Sequence, residues 1–184
     1  MAQIPRVLKN FSLFVDGQGL AGTIDTLTLP TLTTKMEEFR GGGMDAPVEL
    51  DMGMEKLEGS FVLLEYNPDV IALYGLASAN TQMTARGAMR RDGEAAVPAV
   101  VNMTGVVKQV EKGDWKAGDQ SSPTFTFALR YYKLTIGGRE LVEIDKVNMI
   151  RRINGQVVEI DKVNMIRRIN GQDQLATIRQ AIGV

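Results

Sequence analysis

In Pro123-Thr124-Phe125-Thr126-Phe127-Ala128-Leu129-Arg130-Tyr131-Tyr132-Lys133-Leu134-Thr135-Ile136, Phe125, Phe127, Leu129 and Tyr131 alternate with Thr124, Thr126, Ala128 and Arg130. A period of two puts successive side chains on opposite faces, so the stretch is a strand with one buried face. It exceeds the ~5–6 residues of an ordinary strand. Gly137-Gly138 behind it is a hairpin turn, and the valine-rich run from Pro98 to Glu111 ahead of it is a second long strand. Further out, the odd positions from Glu55 to Glu65 are Glu55, Leu57, Gly59, Phe61, Leu63 and Glu65, a strand with a buried centre and charged ends. Thr23 to Thr34 carries Leu27, Leu29 and Leu32 among threonines, and Phe11 to Asp16 leads into Gly17-Gln18-Gly19 as an early hairpin. A helix is expected from Asn67 to Ala79, with Pro68 in its first turn, and a second from Asp173 to Ala181, closing at Gly183. The fold expected is mainly β, an antiparallel β-sandwich or barrel with one or two short helices.

The chain has 184 residues, 44% hydrophobic and 23% charged, enough to bury a core and expected to form a single domain over 1–184. The 21 basic residues nearly balance the 22 acidic ones, so no net charge draws the chain to nucleic acid or an anionic membrane. No apolar run approaches the ~20 residues of a membrane helix, and the first residues carry no signal-peptide pattern, so a protein made in a cytoplasm is the expectation. Cysteine and histidine are both absent. That removes disulfides, thiolate or imidazole metal sites and the Ser-His-Asp and Cys-His mechanisms together. We therefore expect no catalytic residues, no metal and no cofactor.

Three loops stand out. Arg40-Gly41-Gly42-Gly43-Met44-Asp45-Ala46-Pro47 is expected to be a flexible excursion between strands; its glycines lack the following Gly-Lys-Ser/Thr of a phosphate loop. Ordering such a loop costs ~1–2 kcal/mol per residue in backbone entropy, which a partner must offset. Lys112 to Ser122 holds the single tryptophan, Trp115, between Asp114 and Lys116. Its acidic residues are too irregularly placed for a calcium loop. An indole N–H in a polar loop requires a partner, at a protein contact or folded back over the chain's own core. Arg151-Arg152, repeated as Arg167-Arg168, is a weak polyanion signal, because a strand shows only one arginine of each pair to a given face.

Residues 141–156 recur as 157–172 with only Leu141 changed, to Val157. A shift of 16 residues is even, so both copies present the same faces in extended strands. Asn154-Gly155 between them is a tight-turn signal able to send the second copy back as a partner strand.

Several blocks carry a resemblance. They are Leu27-Thr28-Leu29-Pro30, Glu38 to Val48, Gly113-Asp114-Trp115-Lys116-Ala117-Gly118, Tyr131-Tyr132-Lys133-Leu134, Glu143-Ile144-Asp145 and Ile169-Asn170-Gly171-Gln172-Asp173-Gln174-Leu175. In this order the chain resembles the major tail tube proteins of contractile-tailed bacteriophages and R-type pyocins. The resemblance implies a structural subunit that joins five further copies in a ring. Rings stack into a hollow tube whose inner strands form one continuous barrel. It implies contacts to the sheath outside, tape-measure protein and later DNA in the lumen, and terminator and baseplate proteins at the ends. The implied location is the tail of a virion or bacteriocin particle assembled in the host cytoplasm. Arg40 to Pro47 is then a subunit-interface loop, and Asp114, Trp115 and Lys116 are candidate interface residues. The family carries one copy of the repeated segment, and here the first copy is expected to take that place. The competing reading is a monomeric β-sandwich binding module, although 6% aromatic residues with one tryptophan supply few stacking platforms.

Overall fold

The computed structural model describes residues 4–75, 80–118, 121–161, 166–169 and 172–173, with side chains described through residue 156. The elements are β1 (Val7–Val15), β2 (Gln18–Gly19), β3 (Ile24–Thr28), β4 (Thr34–Phe39), β5 (Val48–Met54), β6 (Glu58–Leu63), α1 (Pro68–Ala72), β7 (Thr81–Arg90), β8 (Val97–Glu111), β9 (Thr124–Ile136), β10 (Arg139–Asp145), β11 (Ile150–Ile153), β12 (Gln156–Asp161), β13 (Ile166–Ile169) and β14 (Gln172–Asp173). One antiparallel path runs β14-β13-β12-β11-β10-β9-β8-β7-β1-β2, and β6 and β3 branch from β9.

The branch shows how two layers arise from one sheet. Thr124–Ala128 of β9 pairs with β6, whereas Tyr131–Ile136 pairs with β10. Between them Thr104 opposes Tyr131 and Gly105 opposes Leu129, which leaves Arg130 as an extra residue. A bulge of this kind bends the strand and reverses which side chains face inward. Phe125, Phe127 and Leu129 are buried, and after the bulge it is Tyr132, not Tyr131, that is buried. The uninterrupted alternation expected through Tyr131 is corrected accordingly. At the corner a Cβ on Gly105 would lie 2.2 Å from the Ala128 carbonyl oxygen, so only glycine lets the strands approach.

The core lies between the layers. Leu57, Phe61, Leu63, Phe125 and Phe127 meet Leu13, Val15, Met83, Val101, Met103, Tyr132 and Ile144. The rings of Phe61 and Phe125 stack at 4.9 Å. Gly59 leaves room for Phe127, whose ring would stand 2.7 Å from an added Cβ. Asn67 caps α1 by accepting from the backbone N–H groups of Asp69 and Val70 at 3.0 and 3.3 Å, which seats Val70 in the core.

Other expectations change in detail. The helix ends at Ala72, and residues 76–79 lie outside the described residues. Asp173 is in β14, and the expected second helix beyond it also lies outside them. The stretch Thr23–Thr34 breaks after Thr28, just before Pro30, which has no N–H to give a ladder; Leu29 and Leu32 are exposed. The early hairpin partner β2 spans only two residues, and β1 pairs mainly with β7, a strand the sequence reading missed.

Candidate assembly surface

The strands β3, β6, β9 and the second half of β8 make a four-stranded sheet that is open at both sides. β3 pairs only with β6, and the β7 partner of β8 ends at Gly105. Among the described residues, no strand covers the outer edge of β3 or of Val106–Glu111. The inner face supplies the phenylalanines of the core, and the outer face is polar. Register sets Thr28, Ser60, Thr126 and Gln109 in one row, and Thr26, Val62, Thr124 and Glu111 in the next. Beside them Glu58 receives Lys108 Nζ at 2.6 Å and Lys56 Nζ at 3.1 Å. These two contacts, Lys108 first, hold its carboxyl below the usual carboxylate value.

Arg40–Pro47 joins β4 to β5, which pair only with each other and form an arm apart from the main sheet. Alternation makes the arm amphipathic. Phe39, Val48, Leu50 and Met52 share one face with Glu37 and are about half exposed, while Glu38 opposes Glu49 and Met36 opposes Asp51 on the other. The tip carries hydrogen bonds of its own. Met44 N–H donates to the Gly41 carbonyl at 3.2 Å. Arg40 donates from Nε to the Met44 carbonyl at 3.4 Å and from Nη2 to the Asp45 carbonyl at 3.3 Å. Of the three glycines only Gly43 has positive φ, +86°.

Asp114, Trp115 and Lys116 lie in the β8–β9 connection, separate in the topology from the arm. Trp115 is 83% exposed, so it does not fold over the core. Its Nε1–H donates to the Tyr66 hydroxyl at 2.7 Å, and the two rings meet edge to face. Tyr66 in turn donates to the Lys112 carbonyl. The indole is thus held outward on a braced partner, a geometry that its sequence neighbours did not disclose.

On the β9–β10–β11 surface, Glu143 accepts from the Tyr131 hydroxyl and from Arg152 Nη1, each at 2.9 Å, and Lys133 Nζ lies 2.6 Å from Glu140. Burial first, then the Glu143 contact and its negative neighbours, push the Tyr131 hydroxyl up to about 12. It therefore remains a protonated donor, and the cluster fastens β10 to its neighbours.

The repeat forms two hairpins of equal register. Val142, Glu143, Ile144 and Asp145 oppose Ile153, Arg152, Arg151 and Ile150. Val158, Glu159, Ile160 and Asp161 oppose Ile169, Arg168, Arg167 and Ile166. The turn at Asn154 and Gly155, both at positive φ, returns β12 onto β11 as the sequence predicts. The first copy pairs directly with β9, and the second extends the sheet.

An open groove of about 270 Å³ lies over β1, β3, β7, β8 and β9, bordered by Leu8, Phe11, Leu27, Leu29, Met89 and Ile136. All its described lining residues are apolar, so it lacks the convergent polar groups that orient a small ligand.

Residues 5–156 match the family model of the phage tail tube protein FII, and residues 156–183 match it again. The chain belongs to this phage tail tube family. The match breaks at residue 156, the junction of the two repeat copies. The tail tube protein of Escherichia phage P2 is 35% identical over 157 residues, covering 83% of this chain and 91% of that protein. The major tail tube protein of Serratia phage KSP20 is 32% identical over 155 residues, covering 83% and 90%. The fold is shared with solved contractile-system structures at low identity. A chain of the PVC sheath/tube terminator of an extracellular contractile injection system matches with a TM-score of 0.57 at 11% identity, over 73% of this chain and 99% of that one. A chain of the PVC sheath-tube complex matches with 0.55 at 11% identity, over 71% and 91%.

Proposed function

We propose that this tail tube protein is a non-enzymatic subunit that closes into hexameric rings, which stack into the inner tube of a contractile tail. The observation carrying the reading is the four-stranded sheet with two uncovered edges. Long exposed edges are an aggregation hazard in a monomer, and closure into a barrel removes them. Pairing β3 of one copy with Val106–Glu111 of the next makes the sheet continuous around the ring. The hydroxyl-rich rows of Thr28, Ser60, Thr126 and Gln109 then line the lumen. Mostly uncharged groups, with Glu111 acidic and Glu58 paired to Lys108, suit a conduit that DNA must slide through, since many phosphate contacts would hold it. The apolar arm face rests on a neighbouring copy, with the Arg40–Pro47 tip at that contact. Trp115 with Asp114 and Lys116 offers a second contact.

Tape-measure protein fills the lumen during assembly, the sheath surrounds the tube, and terminator and baseplate proteins meet its ends. The sheath and terminator partners are supported by the shared fold, since the solved structures that carry it are a sheath/tube terminator and a sheath-tube complex. The particle is a virion tail, or a pyocin that depolarises a membrane, assembled in the host cytoplasm. Negative-stain electron microscopy of the purified chain tests the reading. Rings or hollow rods are expected; featureless monomers under all assembly conditions overturn it in favour of a binding module. Tight binding of free DNA to assembled tubes at physiological salt would contradict the sliding lumen.

A further inference from the structure

The sheet of β3, β6, β9 and Val106–Glu111 has two unlike ends. Ile24 opposes Leu63, Val62 opposes Thr124 and Thr124 opposes Glu111, so the start of β3, the end of β6, the start of β9 and the end of β8 lie together. Tyr66 and the β8–β9 connection leave the sheet at this end, where the indole of Trp115 donates to the Tyr66 hydroxyl. At the other end Thr28 opposes Ser60 and Glu58 opposes Ala128. There the chain leaves β3 and later returns into β6, and the whole β4–β5 arm hangs between those two points. The arm and Trp115 thus project from opposite ends of one sheet.

Ring closure converts the two ends into a stacking direction. Lateral pairing uses the sides of the sheet, the β3 edge and the Val106–Glu111 edge. Strands of a closed barrel tilt by about 35–45° from its axis, so one end of each sheet faces up the tube and the other down. In a stack of like-oriented rings, every arm end therefore meets a Trp115 end. The two surfaces also suit each other. The six residues of β4 carry the arm about 20 Å outward at ~3.4 Å per residue. Its half-exposed Phe39, Val48, Leu50 and Met52 have no cover among the described residues. Trp115 is 83% exposed, and its N–H is already satisfied by Tyr66, whose own hydroxyl donates to the Lys112 carbonyl. The indole thus offers an apolar ring fixed in place, the kind of anchor that loses little side-chain freedom on docking. Methionine thioethers, as at Met52, pack well against aromatic rings.

We propose that the arm of each copy docks through Phe39, Val48, Leu50 and Met52 on Trp115 and its Tyr66 brace in a copy of the adjacent ring. The inference rests on the tube reading and deepens it, because it joins the arm and the tryptophan as the two halves of one ring-to-ring contact. The partner is a second copy of this chain. The contact is heterologous and does not close on itself, so it propagates along a tube of any length and gives the stack a single polarity.

Trp115 is the single tryptophan, so fluorescence of the unaltered chain reads the contact directly. On assembly its emission is expected to shift to shorter wavelength and its quenching by acrylamide to fall; unchanged emission in tubes overturns the proposal. Because the chain has no cysteine, a Val48→Cys, Asp114→Cys variant reports direction. Tubes of that variant treated with a short bis-maleimide are expected to give a covalent ladder that continues past the hexamer, since axial links never close. A ladder that ends at the hexamer, or none, overturns the proposal. Trp115→Ala, checked for an unchanged subunit Tm, is expected to leave rings that do not stack. Tubes at the unaltered concentration, or loss of rings as well as tubes, overturn the axial contact. Failure of the unaltered chain to form any ring or tube overturns the tube reading itself.

Discussion

Replacing Phe39 and Leu50 by serine on the arm should abolish much of the assembly while leaving the subunit folded. The two side chains share the apolar arm face and are 54% and 46% exposed in the isolated subunit. Full burial of such a side chain contributes ~1.5–3 kcal/mol, and about half of that remains for a neighbouring copy to supply. The pair is therefore worth about 2 kcal/mol per contact, and at ~1.4 kcal/mol per factor of ten the critical concentration should rise about thirtyfold. Sedimentation of tubes over a concentration series reads that number, and thermal unfolding of the unassembled variant checks the fold. Met36→Ser is the control, because Met36 is exposed to a similar extent, 46%, on the opposite face. An unchanged critical concentration in the folded double variant, or an equal effect of the control, would refute the reasoning.

Gly43→Val, at φ +86°, should disturb the arm tip and weaken assembly without lowering subunit Tm by more than a few degrees, read by the same sedimentation and melting assays. Gly105→Ala should act on the fold, since its Cβ would meet the Ala128 backbone; a loss of about 2 kcal/mol, or roughly 4–8 °C in Tm, is expected in thermal melts. Lysine contacts depress Glu58 through Lys108 and Lys56, and Glu140 through Lys133. Folded values below the ordinary 4.5 mean that this stabilisation is present above 4.5 and is lost as pH falls through the depressed values. Subunit Tm should fall over that acid range, and Glu58→Gln should make the fall shallower. Deleting residues 157–172 joins Gln156 to Asp173 and restores the Asn-Gly-Gln-Asp junction. Electron microscopy should still show tubes; loss of tubes from a folded deletion would make the second copy a required part of the wall.

The strand content, the glycine turns and the tandem hairpins were legible in the sequence because they are local. Alternation in Thr124–Leu129, the Gly137-Gly138 turn and Asn154-Gly155 each act within a few residues, where backbone sterics and a period of two decide the outcome. The missing histidine and cysteine narrowed the chemistry without any structure, and the ordered motif blocks pointed to the family. β7 went unread because only Thr81, Met83 and Ala85 alternate in burial with their neighbours, and its Ala85, Gly87 and Ala88 have weak strand preference. Tertiary structure alone decided the bulge at Arg130, which answers to pairing with β8, β6 and β10 rather than to its own neighbours. It also decided that Leu29 and Leu32 stay exposed, that Trp115 rests on Tyr66, and that Phe39, Val48, Leu50 and Met52 form one uncovered face. Free edges belong to the same class: whether β3 and Val106–Glu111 lack partners depends on where every other strand has gone, a long-range property that no local pattern encodes.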